Sequence, residues 1–200
     1  MGPQKCRGDA SNQRAWVCFG RYKMEIYDRP SVRWRLKVRM LKAEVLETLL
    51  YGCVTWSPSK SDYRRLQKAH HQMLLRCLGW RKRKHDDHTL SYANALLRTD
   101  SKSVETTVHR RRILFAGFMA RMGEEHLPRR VMFGEMLGGK GYSGGQEWHW
   151  MKDLEEDLKA FGIKFEWWRE APQKVGRWFR RVEEGAEVFM RCVPPVQRPK

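Results

Sequence analysis

The sequence predicts a mainly α protein, a basic helical bundle followed by a smaller helical C-terminal segment. Three observations carry that expectation. Apolar residues recur at three- and four-residue steps through several long segments, the spacing of one face of an α-helix. Gly52, Gly79, Gly123 and Gly162 stand just after those segments, where glycine accepts the left-handed conformation that closes a helix. No stretch of useful length alternates apolar with polar residues, so strands leave no signal.

Residues 1–15 read as a loose tail, and WVCFGRYKMEIY (16–27) as either a short strand or an irregular apolar segment. Pro30 and Ser31 suit a helix start. Val32, Leu36, Val38, Leu41, Val45, Leu46, Leu49 and Leu50 form its apolar side up to Gly52. Ser57-Pro58 signals the next start, with Ser59 and Ser61 as competing caps. Tyr63, Leu66, Ala69, Met73, Leu74, Cys77 and Leu78 share one face of that helix, and Arg64, Arg65, Lys68 and Arg76 fall largely on the other. A short helix is expected from Leu90 to Leu97. A long one follows, capped by Asp100 or Ser101 and apolar at Val104, Val108, Leu114, Phe115, Phe118, Met119 and Met122.

Residues 128–137 make at most a short helix, and GGKGYSGG (138–145) reads as a flexible linker. Beyond it, Trp148, Met151, Leu154, Leu158 and Phe161 outline one helix, and Pro172, Val175, Trp178, Phe179 and Val182 another. The expected organisation is therefore an N-terminal tail and irregular segment (1–29), a basic helical region (30–137), a Gly-rich linker (138–145) and a C-terminal helical segment with a Pro-rich tail (146–200). Trp16, Trp34, Trp56, Trp148 and Trp150 are expected to be buried.

Charge narrows the function. Lys and Arg number 40 against 23 Asp and Glu, a formal +17 over 200 residues. A surplus of that size points to a polyanionic partner, above all nucleic acid. It is also uneven. Residues 1–40 carry ten bases against three acids, whereas 141–200 carry eleven against ten, so the contact belongs to the first 140 residues. Five scattered cysteines without a CxxC pair suit a reducing compartment, nuclear or cytoplasmic rather than secreted. No apolar run is long enough to span a bilayer, and no membrane partner is expected.

No catalytic constellation emerges. GGKGYSGG lacks the Ser or Thr and the preceding strand of a phosphate-binding loop. His70, His71, Cys77, His85 and His88 match no zinc spacing, and read better as histidines on a basic surface. Asp86-Asp87 sits in a charged connector with no strand on either side to make a two-metal site. The expectation is no enzyme activity, no metal and no cofactor. Arg64, Arg65, Lys68, Arg76, Arg81, Lys82, Arg83, Lys84, Arg110, Arg111 and Arg112 are the candidates for phosphate contact, and Trp80 for stacking on a base.

Three ordered segments add a resemblance: LKVRMLKAEVLETLLYGCVTW (36–56), RRLQKAHHQMLLRCLGW (64–80) and HRRRILFAGFMARM (109–122). The series resembles the region after the polymerase palm in reverse transcriptases of non-LTR (LINE-type) retrotransposons. The matching positions are Leu49, Leu50, Tyr51, Gly52, Trp56, Leu78, Gly79, Arg111, Arg112, Gly117, Arg121 and Met122. Val54 and Phe118 depart from the pattern, standing where the family often has an acid and a histidine. The resemblance implies a thumb-like helical bundle at 30–80 that grips RNA or an RNA–DNA duplex. It also implies that the fingers and the palm, with its Ala-Asp-Asp metal motif, lie outside this chain. The alternative is a helical protein-interaction module whose basic face docks an acidic partner or a palm domain.

Overall fold

The structure, a computed structural model, describes residues 7–80, 90–136, 150–164 and 174–192. The chain is mainly helical, and no strand occurs among the described residues. Its helices are α1 (Arg7–Arg21), α2 (Trp34–Met40), α3 (Leu46–Leu49), α4 (Lys60–Cys77), α5 (Tyr92–Thr99), α6 (Val104–Arg121), α7 (Leu127–Met136), α8 (Trp150–Ala160) and α9 (Val175–Cys192). A π-helical turn, Leu41–Val45, joins α2 to α3, and another, Lys23–Tyr27, follows α1.

The chain divides into two compact units, and not at the linker expected from composition. The first takes in Met1–Tyr51 and Pro58–Glu105; the second takes in Gly52–Ser57 and Thr106–Val193. Residues 138–145 lie outside the described residues. The division instead falls inside α6 and just after Tyr51. Thr48–Tyr51 thus belongs to the first unit and Gly52–Trp56 to the second.

In the first unit α1 replaces the expected tail. Ser11, Ala15 and Phe19 recur every four residues and are all buried, a helical stripe too small and too polar at its first position to stand out. Phe19 stacks on Tyr27 with ring centroids 3.9 Å apart. Val38, Leu41, Val45 and Leu49 supply a second buried stripe and Leu66, Ala69, Met73, Leu74 and Cys77 of α4 a third, with α1 packed against both α3 and α4. Leu36 and Trp34, expected inside, are exposed, and Lys37 is buried in their place. Its Nζ donates to the Tyr27 carbonyl at 2.7 Å, the partner a buried ammonium requires.

Helix ends follow local chemistry closely. Ser59 wins the competition for the α4 cap: its hydroxyl accepts from the Asp62 N–H while the Asp62 carboxylate accepts from the Ser59 N–H, a reciprocal capping box. Asp100 does not cap α6 as expected. It closes α5 in a left-handed conformation (φ 46), with Lys42 donating to the Thr99 and Asp100 carbonyls. Gly52 and Gly162 are left-handed as expected.

The second unit has its own core. Ile113, Ala116 and Met119 of α6 meet Trp150, Leu154 and Leu158 of α8 and Trp178, Val182 and Ala186 of α9. Trp178 is the largest fully buried side chain among the described residues, and Gly117 is what admits it: a Cβ there would lie 2.1 Å from the Trp178 Nε1. Glycine at 117 is therefore a packing requirement.

Candidate nucleic-acid interface

α4 carries the most continuous cationic surface among the described residues. Lys60, Arg64, Lys68, Gln72 and Arg76 fall every fourth residue, and all five are exposed. Such a series climbs about 6 Å per step and drifts about 40° around the axis, so it makes a gently winding band about 24 Å long. Arg65 is exposed beside it. The only acid on α4 is Asp62, which the capping box already occupies. A band of this kind meets phosphates without reading bases.

The end of α4 is held by its backbone. The Trp80 N–H donates to the Leu75 carbonyl at 2.9 Å and the Gly79 N–H to the Arg76 carbonyl at 3.0 Å, with Gly79 at φ 67. This is a Schellman closure, and it fixes where the Trp80 ring starts. Arg76 stacks back over Trp16, its guanidinium 5.2 Å from the ring centroid. Arg81, Lys82, Arg83 and Lys84, proposed from sequence for phosphate contact, lie outside the described residues, as do His85, Asp86, Asp87 and His88.

The histidines of α4 are not a basic surface. His70 is buried, and its Nδ1 lies 2.9 Å from the Tyr92 hydroxyl, which accepts from the Val104 N–H at 3.2 Å. Burial lowers the His70 pKa to about 4, and neighbouring His71 and Lys42 add to the fall. His71 Nε2 donates to the Leu90 carbonyl at 2.8 Å. No grouping of three or more His, Cys, Asp or Glu able to hold a metal occurs among the described residues.

The triple arginine of α6 requires the largest correction. Arg112 is 2% exposed and cannot reach a phosphate. One of its nitrogens donates to Asp157 Oδ2 of α8 at 3.0 Å and another to the Trp56 carbonyl at 2.9 Å. Asp153 lies 3.8 Å away. Beside this, Trp150 Nε1 donates to the Val54 carbonyl at 2.7 Å. Two buried side chains thus hold alternate carbonyls of the strap Gly52–Ser57 within the second unit. Arg110 pairs with Glu183 of α9 and lies over the Phe179 ring at 5.4 Å. Arg111 is partly buried.

Burial dominates the electrostatics of this cluster. Desolvation pushes the Asp157 carboxyl up to about 7, against the pull of Arg112. The His109 ring, 3.5 Å from Asp157, is pushed down to about 4 by burial and by Arg112. Arg64, Arg65, Lys68 and Arg76 of α4 are exposed as the helical spacing predicts, whereas Arg112 of α6 is buried. The signal that separates them is the acid-rich EEDL of α8, 45 residues away from Arg112.

No helix among the described residues is long and apolar enough to cross a membrane. No family model, curated protein or solved structure matches this chain.

Proposed function

We propose that this chain binds nucleic acid through the outer face of α4, as a thumb and post-thumb piece of a non-LTR-type reverse transcriptase with no catalysis of its own. The observation that carries the reading is the exposed band Lys60, Arg64, Lys68 and Arg76 on a helix whose only acid is committed to its cap. The partner is RNA or an RNA–DNA duplex contacted along its backbone, and the compartment is nuclear or cytoplasmic. Fingers and palm would be supplied by sequence outside this chain.

Four such contacts release about four counterions, giving a slope of log K against log salt near −3.6. The test is anisotropy of a labelled RNA–DNA duplex with the purified chain across a salt series. The triple substitution K60Q/R64Q/K68Q should weaken binding at low salt and flatten the slope by nearly three units. Absence of binding, or an unaltered slope in the variant, overturns the reading. Arg112 is unsuitable for this test because its loss would disturb the second core. The rival reading, a helical protein-interaction module, uses the same basic face to dock an acidic partner or a palm domain. It predicts retention of an acidic protein partner with no affinity for the duplex.

A further inference from the structure

The C-terminal end of α4 combines features that a simple charged band does not explain. Trp80 sits at the second position beyond the helix, where an apolar residue ordinarily folds back and buries itself against the last turn. It remains 38% exposed, and what lies over its ring is a cation: the Arg98 guanidinium of α5, 5.7 Å from the ring centroid. Four residues earlier, Arg76 is stacked in the same manner on Trp16 and Phe19, at 5.2 and 5.8 Å. Both arginines are exposed. An arginine stacked on an aromatic ring has its plane fixed and its N–H edge still available, so less freedom is lost when a phosphate arrives. The two cations also lie at the last turns of α4 and α5, where unpaired carbonyls carry about half a negative charge; a second anion is accepted there only if cations outweigh that end.

We propose that this end of α4 takes an unpaired nucleotide of single-stranded nucleic acid, with the base stacked on Trp80 and the flanking phosphates on Arg76 and Arg98. The inference rests on the nucleic-acid reading above and adds the class of strand. Within a duplex each base face is covered by its neighbours, so a band of cations is all a helix needs to hold it. An exposed indole with the Arg98 guanidinium over its ring suits a base whose own face is free. Stacking of this kind is tolerant of sequence, because every base has a π-face. A carboxylate-rich protein would satisfy the arginines but would gain nothing from the indole.

The test compares a short blunt RNA–DNA duplex with the same duplex carrying a single-stranded overhang, on the 5′ or the 3′ side, using the whole chain. The overhang should tighten binding about tenfold, the usual worth of one stacked base. Trp80→Ala should abolish that gain while leaving blunt-duplex affinity unchanged, and Trp80→Phe should retain most of it. An abasic overhang should give no gain with the wild-type chain. Circular dichroism of each variant establishes that α4 is intact. Equal affinity for blunt and overhang duplexes, or a gain that survives Trp80→Ala, overturns this inference and leaves the α4 band standing. Failure of every duplex to bind overturns the nucleic-acid reading, and this inference with it.

Discussion

α4 and α6 are both arginine-rich helices of 18 residues, and they use their charge in opposite ways. α4 keeps its cations outside and buries neutral polar groups, with His70 and the Tyr92 hydroxyl paired inside the first unit. α6 turns Arg112 into the second unit and encloses it with Asp157 and a backbone carbonyl. Both stretches carry several arginines; what decides their use is what faces them. Where a carboxylate is delivered by a neighbouring helix, a guanidinium with five donors can be buried and made structural. Where none is delivered, the charge stays in water and is free to meet a polyanion.

The strongest way to break the comparison is Arg112→Met. It leaves Asp157 buried without its partner and the Trp56 carbonyl without its donor, and losses of this kind cost about 3–5 kcal/mol. Denaturant unfolding at pH 8 should show that loss, with hydrogen exchange rising in α6, α8 and Gly52–Ser57. The penalty should shrink as pH falls, and should begin to do so above pH 7, because losing Arg112 removes the pull that lowers the Asp157 carboxyl and lets it take up a proton more readily than in the parent chain. A change under 1 kcal/mol at pH 8 would mean that Arg112 is not the centre of the second unit.

Gly117→Ala comes next. The new methyl group would overlap the Trp178 ring, which is 2% exposed and has no room to withdraw, so destabilisation near the upper end of the 1–3 kcal/mol typical of overpacking is expected. Trp178→Leu in the same chain should restore part of it. If the double variant is no more stable than Gly117→Ala alone, the clash lies elsewhere.

How much of this was legible in the sequence depended on range. Caps and closures were readable at Ser59, Gly52, Gly79 and Gly162, because a cap is settled by residues within four positions of itself. The apolar faces of α4 and α8 were readable for the same reason. α1 was not: its buried stripe begins with Ser11 and Ala15, which burial selects for size rather than hydrophobicity. Asp100 looked like an N-cap and proved to be a left-handed closure, since Asp serves both places. Of the proposed phosphate contacts, Arg64, Arg65, Lys68 and Arg76 are on the surface. Arg112 is not, because its fate was decided by Asp157, 45 residues downstream on another helix.

Alkaline pH should separate the units by a smaller margin. Burial pushes the Cys77 thiol up to about 12, and raises the Tyr27 and Tyr92 phenols well above their usual range. All three belong to the first unit. Each keeps its proton when folded and loses it at pH 9–10 when unfolded, so their stabilisation is intact below pH 9 and is lost as pH rises toward the folded values. Cys77 alone should cost about 2 kcal/mol by pH 10.5. In the second unit the opposing groups are His109 and Asp157, which titrate at lower pH. His109 stabilisation falls as pH drops from 6.5 to 4, while Asp157 stabilisation falls as pH rises from 3.8 to 7, so the two largely offset. Hydrogen exchange at pH 8 and 10, corrected for intrinsic rates, should show the first unit opening preferentially. Uniform loss in both units would count against the division.

The smallest effect is the one that bears most on function. K60Q/R64Q/K68Q removes three exposed charges that touch no acid on their own helix. Substitutions of that kind move stability by no more than about 0.5 kcal/mol. Here the sign should even favour the variant, because Lys60 is the first residue of α4, and a cation at the positive end of a helix is unfavourable. A helix that holds a cation where its own dipole opposes it, and gains stability when that cation is removed, carries it for something other than folding. Thermal unfolding of the variant at low salt decides the point: an unchanged or higher Tm fits a charge kept for a partner, whereas a loss above about 1 kcal/mol would make the α4 cations structural, like Arg112, and remove the contrast between the two helices.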